Sequence, residues 1–138
     1  MKSEKKILLK DNHRRSLTST LMIVEKLLIE IEDLMINQSI ACCSEINKDI
    51  DINIINHNHS IVEESRKLIC KLAQKYNTNK DIQSLQRIID FKKTKIWEVL
   101  CDSSSKKLKG FGEFPQNLAT EYDLDINELM TITNKIKY

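Results

Sequence analysis

"SLTSTLMIVEKLLIEIEDLMI", residues 16–36, sets the reading of the whole chain. Leu17, Leu21, Val24, Leu28, Ile31 and Met35 recur at alternating intervals of four and three. An α-helix returns to one face at those intervals, so the row is the seam of a helix laid at a shallow angle on its neighbours. Leu27 and Leu34 widen the seam on one side, as bundle helices do. Ser16 is the expected N-cap, since its hydroxyl can accept from a free amide of the first turn. A second apolar row lies on the same helix. Met22, Ile29 and Ile36 repeat every seven residues, about 100° from one edge of the seam, with Glu25 and Glu32 between the two rows. One helix of a monomeric bundle needs one apolar face. The extra stripe predicts a second contact, with a long neighbouring element or another subunit. Met22, Ile29 and Ile36 are therefore the candidate interface residues.

The composition supports long helices throughout. The 138 residues include two glycines and one proline. Strand-rich folds turn often and place such residues at the turns, so a chain this poor in them has few tight turns. Apolar residues make up 41% and charged residues 30%, which is polar for a compact globule but far from a disordered composition. The length matches one domain, 1–138, with 1–15 as a flexible or short helical arm.

Working outward from residues 16–36, Asn37-Gln38-Ser39 can end the first helix. Residues 40–56 carry two patterns. Ile40, Cys43, Ile46 and Ile50 fit a helix, whereas Ile50, Ile52 and Ile54 alternate like a strand. No partner strand is evident, so helix is the preferred reading. Asn56-His57-Asn58-His59 reads as a break or kink, followed by the capping box Ser60-Ile61-Val62-Glu63. The next helix runs to about Tyr76, with Leu68, Leu72 and Tyr76 on one side and Val62, Ile69 and Ala73 beside them. Asn77-Thr78-Asn79 is a turn, with Thr78 as a cap for the helix after it. That helix uses Ile82, Leu85, Ile89, Ile96 and Leu100 and reaches about Asp102. A connection over 103–114 leads to Pro115, which suits the first turn of a last helix because its missing N–H would be unpaired there. Leu118, Tyr122, Ile126, Leu129 and Ile136 give that helix a face, and Asp123 and Asp125 are places where it can bend or restart. The fold expected is all-α, an antiparallel four- or five-helix bundle with up-and-down connectivity.

The formal net charge is +2, so total charge does not mark a polyanion-coating protein. The apolar run near the N-terminus, Ile7-Leu8-Leu9, is too short for a secretion signal. No stretch approaches the roughly 20 apolar residues that cross a bilayer. A cytoplasmic location without membrane contact is expected. Cys42, Cys43, Cys70 and Cys101 are then expected to stay reduced, and without a C-x-x-C pair they do not read as a zinc site.

Residues 103–116, "SSSKKLKGFGEFPQ", gather both glycines and the proline. The spacing departs from both the phosphate-loop and the dinucleotide patterns, which also need a preceding strand. Lys106, Lys107 and Lys109 with Phe111 and Phe114 can meet phosphates and stack on a base, which makes them the candidate ligand or nucleic-acid residues. The plainer reading is a helix connection whose phenylalanines close the end of the bundle. His13, His57 and His59 lack the Glu-x-x-His spacing of di-iron bundles, so no cofactor or metal is expected. Glu30-x-x-Asp33, Glu63-Glu64 and Asp125-x-x-Glu128 are similar to the acidic pairs with which all-α nucleotide pyrophosphatases hold magnesium. In so charged a chain such pairs are more simply a solvated face. Three functions follow in order: a non-enzymatic bundle acting through protein–protein contact as a homodimer or with another protein; a nucleic-acid binder using 103–116; and a magnesium-dependent nucleotide hydrolase.

Overall fold

The structure is a computed structural model that describes residues 6–37 and 41–138. Five α-helices follow in order: α1 (Asp11–Ile36), α2 (Ile52–Lys75), α3 (Leu85–Cys101), α4 (Ser105–Leu108) and α5 (Gln116–Thr133), with a 3-10 turn over Lys109–Phe111 between the last two. The described residues contain no strand, so the all-α expectation holds. The chain divides into two compact units, Met1–Asp81 and Ile82–Tyr138.

In the first unit α1 and α2 form an antiparallel pair. The amide of Ile7 donates to the Lys75 carbonyl (2.8 Å), and Lys48 Nζ donates to the Met35 carbonyl (3.1 Å), fixing the two ends. α1 begins at Asp11, about one and a half turns before the expected Ser16 cap, with the Arg14 guanidinium on the Asp11 carboxylate at 3.2 Å. It ends at Ile36, where Asn37 donates to the Asp33 carbonyl. Gln38, Ser39 and Ile40 lie outside the described residues.

The helix expected over 40–56 is corrected: residues 41–51 have no regular structure, and α2 starts at Ile52. The break expected at Asn56-His57-Asn58-His59 is also absent. Ser60 is interior to α2, and its hydroxyl donates to the Asn56 carbonyl instead of capping a free amide. These weak helix formers stay helical because Asn58 and His59 are half-buried in a unit where His59 meets α1. At the far end of α2 the chain leaves through a Schellman arrangement. Asn77 adopts a left-handed φ of 52°, its amide donates to Gln74, and the Thr78 amide donates to Ala73. Thr78 therefore closes α2, and α3 is capped by Ser84, whose hydroxyl accepts from the Arg87 amide.

In the second unit α3 and α5 also run antiparallel. Lys93 Nζ donates to the Ile136 carbonyl at one end, and the Tyr122 hydroxyl donates to the Ser103 carbonyl at the other. The connection expected over 103–114 contains α4 and the 3-10 turn. Gly112, at φ 132°, occupies backbone space that L side chains rarely adopt, which is why a glycine stands there. Pro115 precedes the first turn of α5. α5 runs unbroken through Asp123 and Asp125.

Neither pair closes a large core. Among the described residues the buried apolar side chains are Val62 and Ile69, both on α2. The accessible surface is 12,074 Å². Two separate compact globules of these chain lengths would expose roughly 9,000 Å² by the area–mass scaling.

Candidate interaction surface

Two helices can cover only one side of each other, and the α1–α2 pair shows which side. Half-buried positions of α1 include Leu17, Leu21, Met22, Leu28, Ile29 and Met35, together with Glu25 and Glu32. This flank faces the side of α2 that carries Val62 and Ile69, and the ion pairs of Glu32 set the register. Glu32 places one carboxylate oxygen 2.8 Å from His59 Nδ1 and the other 3.7 Å from the Arg66 guanidinium. His59 Nε2 lies 3.6 Å from Glu63. The Nδ1 approach is close but lacks hydrogen-bond alignment. Glu32 thus sits between two basic groups of α2, which accounts for a carboxylate on the inner face.

The opposite outcome holds for the rest of the seam. Val24, Ile31, Ile61 and Leu68 remain 41%, 47%, 45% and 55% exposed. At about 100° per residue, Val24 and Ile31 stand roughly a quarter-turn from the α1 flank that meets α2. Ile61 and Leu68 stand a quarter-turn from the α2 flank that meets α1. Because the helices run antiparallel, the two rows open to the same side. Leu27 and Leu34 extend this face outward on α1, and both are about half-exposed. The result is one apolar face shared by two helices, with the half-buried Leu21 and Leu28 at the α1 edge of its floor.

The sequence-predicted interface residues fall elsewhere on α1. Met22 and Ile29 lie on the half-buried flank, and Met22 borders a cleft with Ile69 and Ala73. Ile36, the last residue of α1, is exposed. Val24 and Ile31 were legible as apolar periodicity but read as core. The signal that marks them as surface is the matching heptad pair Ile61 and Leu68 on the second helix.

In the second unit Lys106 and Lys107 lie on α4, Lys109 opens the 3-10 turn, and all three are exposed. Phe111 is 93% exposed. Phe114 is half-buried, with its ring 4.9 Å from that of Tyr122. The two phenylalanines are therefore not equivalent: one packs and one is free. Ser105 anchors the segment. Its amide and hydroxyl donate to the two Asp123 carboxylate oxygens at 2.8 and 2.6 Å, and the Ser104 hydroxyl accepts from the Lys107 amide. The Ser105 hydroxyl, and then its amide, hold the Asp123 carboxyl below the usual carboxylate range. Alongside, Phe91, Ile96, Val99 and Leu129 line a shallow apolar groove between α3 and α5.

Among the described residues no group of three or more His, Cys, Asp or Glu side chains is placed to hold a metal ion. Glu30 and Asp33 are exposed on α1, and Asp125 and Glu128 belong to the other unit. Arg14 and Arg15 likewise belong to the first unit, and both lysine runs, 92–95 and 106–109, to the second. No described helix is long and apolar enough to cross a membrane. Searches of family models, characterised proteins and solved structures find no match to this chain.

Proposed function

We propose that this protein is a non-enzymatic helical scaffold that works through protein–protein contact, its α1–α2 pair associating with a second copy of the chain. One observation carries the reading: the apolar side chains of Val24 and Ile31 on one helix, and of Ile61 and Leu68 on the other, open to the same side of the pair and stay exposed. Contiguous apolar surface of this kind marks an interaction site far more often than scattered exposed leucines do. With Leu27 and Leu34, six half-exposed side chains leave about 1 kcal/mol each ungained. Two copies together gain at most about 12 kcal/mol against an association cost of about 4–15 kcal/mol, so the dimer is micromolar at its tightest.

Sedimentation equilibrium of the full chain tests the proposal. The expected result is a monomer–dimer equilibrium in the micromolar range. Ile31→Glu should shift it to monomer while far-UV circular dichroism stays helical. A wild-type monomer up to several hundred micromolar would refute the reading. Loss of helix in Ile31→Glu would show instead that this face is ordinary core.

A further inference from the structure

The charges of the first unit are sorted along its length. Residues 6–15 and 66–81 hold nine basic and two acidic side chains, a formal +7. Residues 25–37 and 41–64 hold two basic and nine acidic side chains, a formal −7. Residues 16–24 and Ser65, between these segments, carry no charge. The antiparallel pairing brings each set together. The segment leading into α1 lies beside the end of α2, as the Ile7 to Lys75 hydrogen bond shows, and Arg14 and Arg15 share a cleft with Lys80, so the basic segments gather toward one end and the acidic segments toward the other.

The needs of α1 itself do not explain this pattern. A helix favours acidic groups at its start and basic groups at its finish. Apart from Asp11 in its first turn, α1 carries Lys10, Arg14 and Arg15 at its start, Glu30, Glu32 and Asp33 towards its finish, and no basic residue in its last turn. The arrangement works against its own dipole. Of those three acids, Glu32 meets basic groups of α2. Sorting at this cost calls for something outside the unit that is sorted in the opposite sense, and a second copy turned end for end is sorted that way.

Two closed two-fold arrangements bring the apolar faces of two copies together. With the axis along the helices, the two basic ends lie side by side, as do the two acidic ends, and α1 faces the α2 of the other copy. With the axis across the helices, in the plane of the interface, each basic end lies over an acidic end. In that arrangement α1 faces α1 and α2 faces α2, both antiparallel. Resting on the self-association proposed above, we infer that a second copy docks on the Val24/Ile31/Ile61/Leu68 face in this antiparallel sense, with the two-fold axis crossing near Leu27 and Leu68. The register follows from Glu32, which lies level with the stretch between His59 and Arg66 and so places Leu27 level with Leu68. Val24 and Ile31 are centred between residues 27 and 28, so an axis there sets the open α1 rows of the two copies opposite each other.

Salt separates the outcomes. Between about 50 mM and about 500 mM sodium chloride, the dimer of the full chain should weaken at least tenfold by sedimentation equilibrium, because screening removes attraction between opposite ends. Tightening with salt would overturn the antiparallel orientation and leave self-association standing. Monomer at every salt concentration would overturn both. Open-ended growth with protein concentration, reversed by salt, would show end-to-end stacking and overturn the closed two-fold. Glu30→Lys with Asp33→Lys improves the α1 dipole, so folding survives, yet it should weaken the dimer about tenfold. The alternative orientation predicts that this variant tightens. With Cys42, Cys43, Cys70 and Cys101 replaced by serine, Leu68→Cys should form an intermolecular disulfide with itself, since a residue on the axis faces its own copy and a disulfide needs Cβ atoms about 4 Å apart. Absence of that cross-link in a verified dimer would overturn the placement of the axis.

Discussion

Leu68 and Ile69 are consecutive residues on α2 with opposite environments, and truncating each in turn tests the assignment of the open face. Ile69 is 9% exposed and Leu68 is 55% exposed. Ile69 lines a cleft open to solvent together with Leu21, Met22 and Ala73. Ile→Ala in a core costs about 2–5 kcal/mol, and an opening that lets neighbours relax puts this site at the low end, about 2–3 kcal/mol. Leu68→Ala removes a side chain whose outer half never left water. The loss is about 1 kcal/mol, reduced a little by the better helix propensity of alanine. With a urea slope of about 2 kcal/mol/M, the midpoint falls by about 1 M for Ile69→Ala and by less than about 0.5 M for Leu68→Ala. Circular dichroism at low micromolar protein reads both values. Raising the concentration through the dimer range should enlarge the Leu68→Ala penalty, because the second copy covers that residue, and leave the Ile69→Ala penalty nearly constant. Equal penalties at low concentration would refute the reasoning, since Leu68 would then be covered within the monomer.

Three further outcomes follow from single sites. Asp123 has a depressed folded pKa, so its contribution to stability is present above its unfolded value near 4 and is lost as pH falls through the folded value. The unfolding midpoint between about pH 6 and pH 2 should carry this acid-sensitive component in the wild type and lack it in Asp123→Asn. Gly112→Ala, at φ 132°, should destabilise by about 1–3 kcal/mol, whereas Gly110→Ala has open space around it and no positive φ and should be tolerated. Equal urea midpoints for the two variants would contradict the assigned backbone. Ser84→Ala removes a cap and should cost about 1 kcal/mol, while Ser60→Ala, in the interior of α2, should stay within about 0.5 kcal/mol.

Much of the helical content was legible in the residues themselves. The three-and-four spacing of 17–35 places α1, and the Asn77-Thr78 turn, the finish of α3 near Asp102 and Pro115 before α5 all sit where local chemistry puts them. Two local signals misled. Ser60 and Glu63 form a sound capping box by letter, yet α2 begins eight residues earlier at Ile52. Ile40, Cys43, Ile46 and Ile50 have helical spacing, yet 41–51 has no regular structure. In both places a short pattern of a few residues is outweighed by the tertiary partner that a segment has or lacks: His59 meets Glu32, while 41–51 is exposed throughout.

The interaction surface was half legible, for a reason of the same kind. Periodicity states which side chains share a face of a helix, because that depends only on the turn per residue. It does not state how many neighbours arrive to cover the face. The sequence by itself determined that α1 is a helix with more apolar surface than one contact uses, and that its charges are unevenly spread. Only the tertiary structure decided that the partner covers the Leu21, Met22, Leu28 and Ile29 flank and leaves Val24 and Ile31 open. It also brought residue 7 beside residue 75, and Arg14 and Arg15 into one cleft with Lys80, because a helix pair must choose a direction, and the antiparallel choice gathers scattered charges toward one basic end and one acidic end.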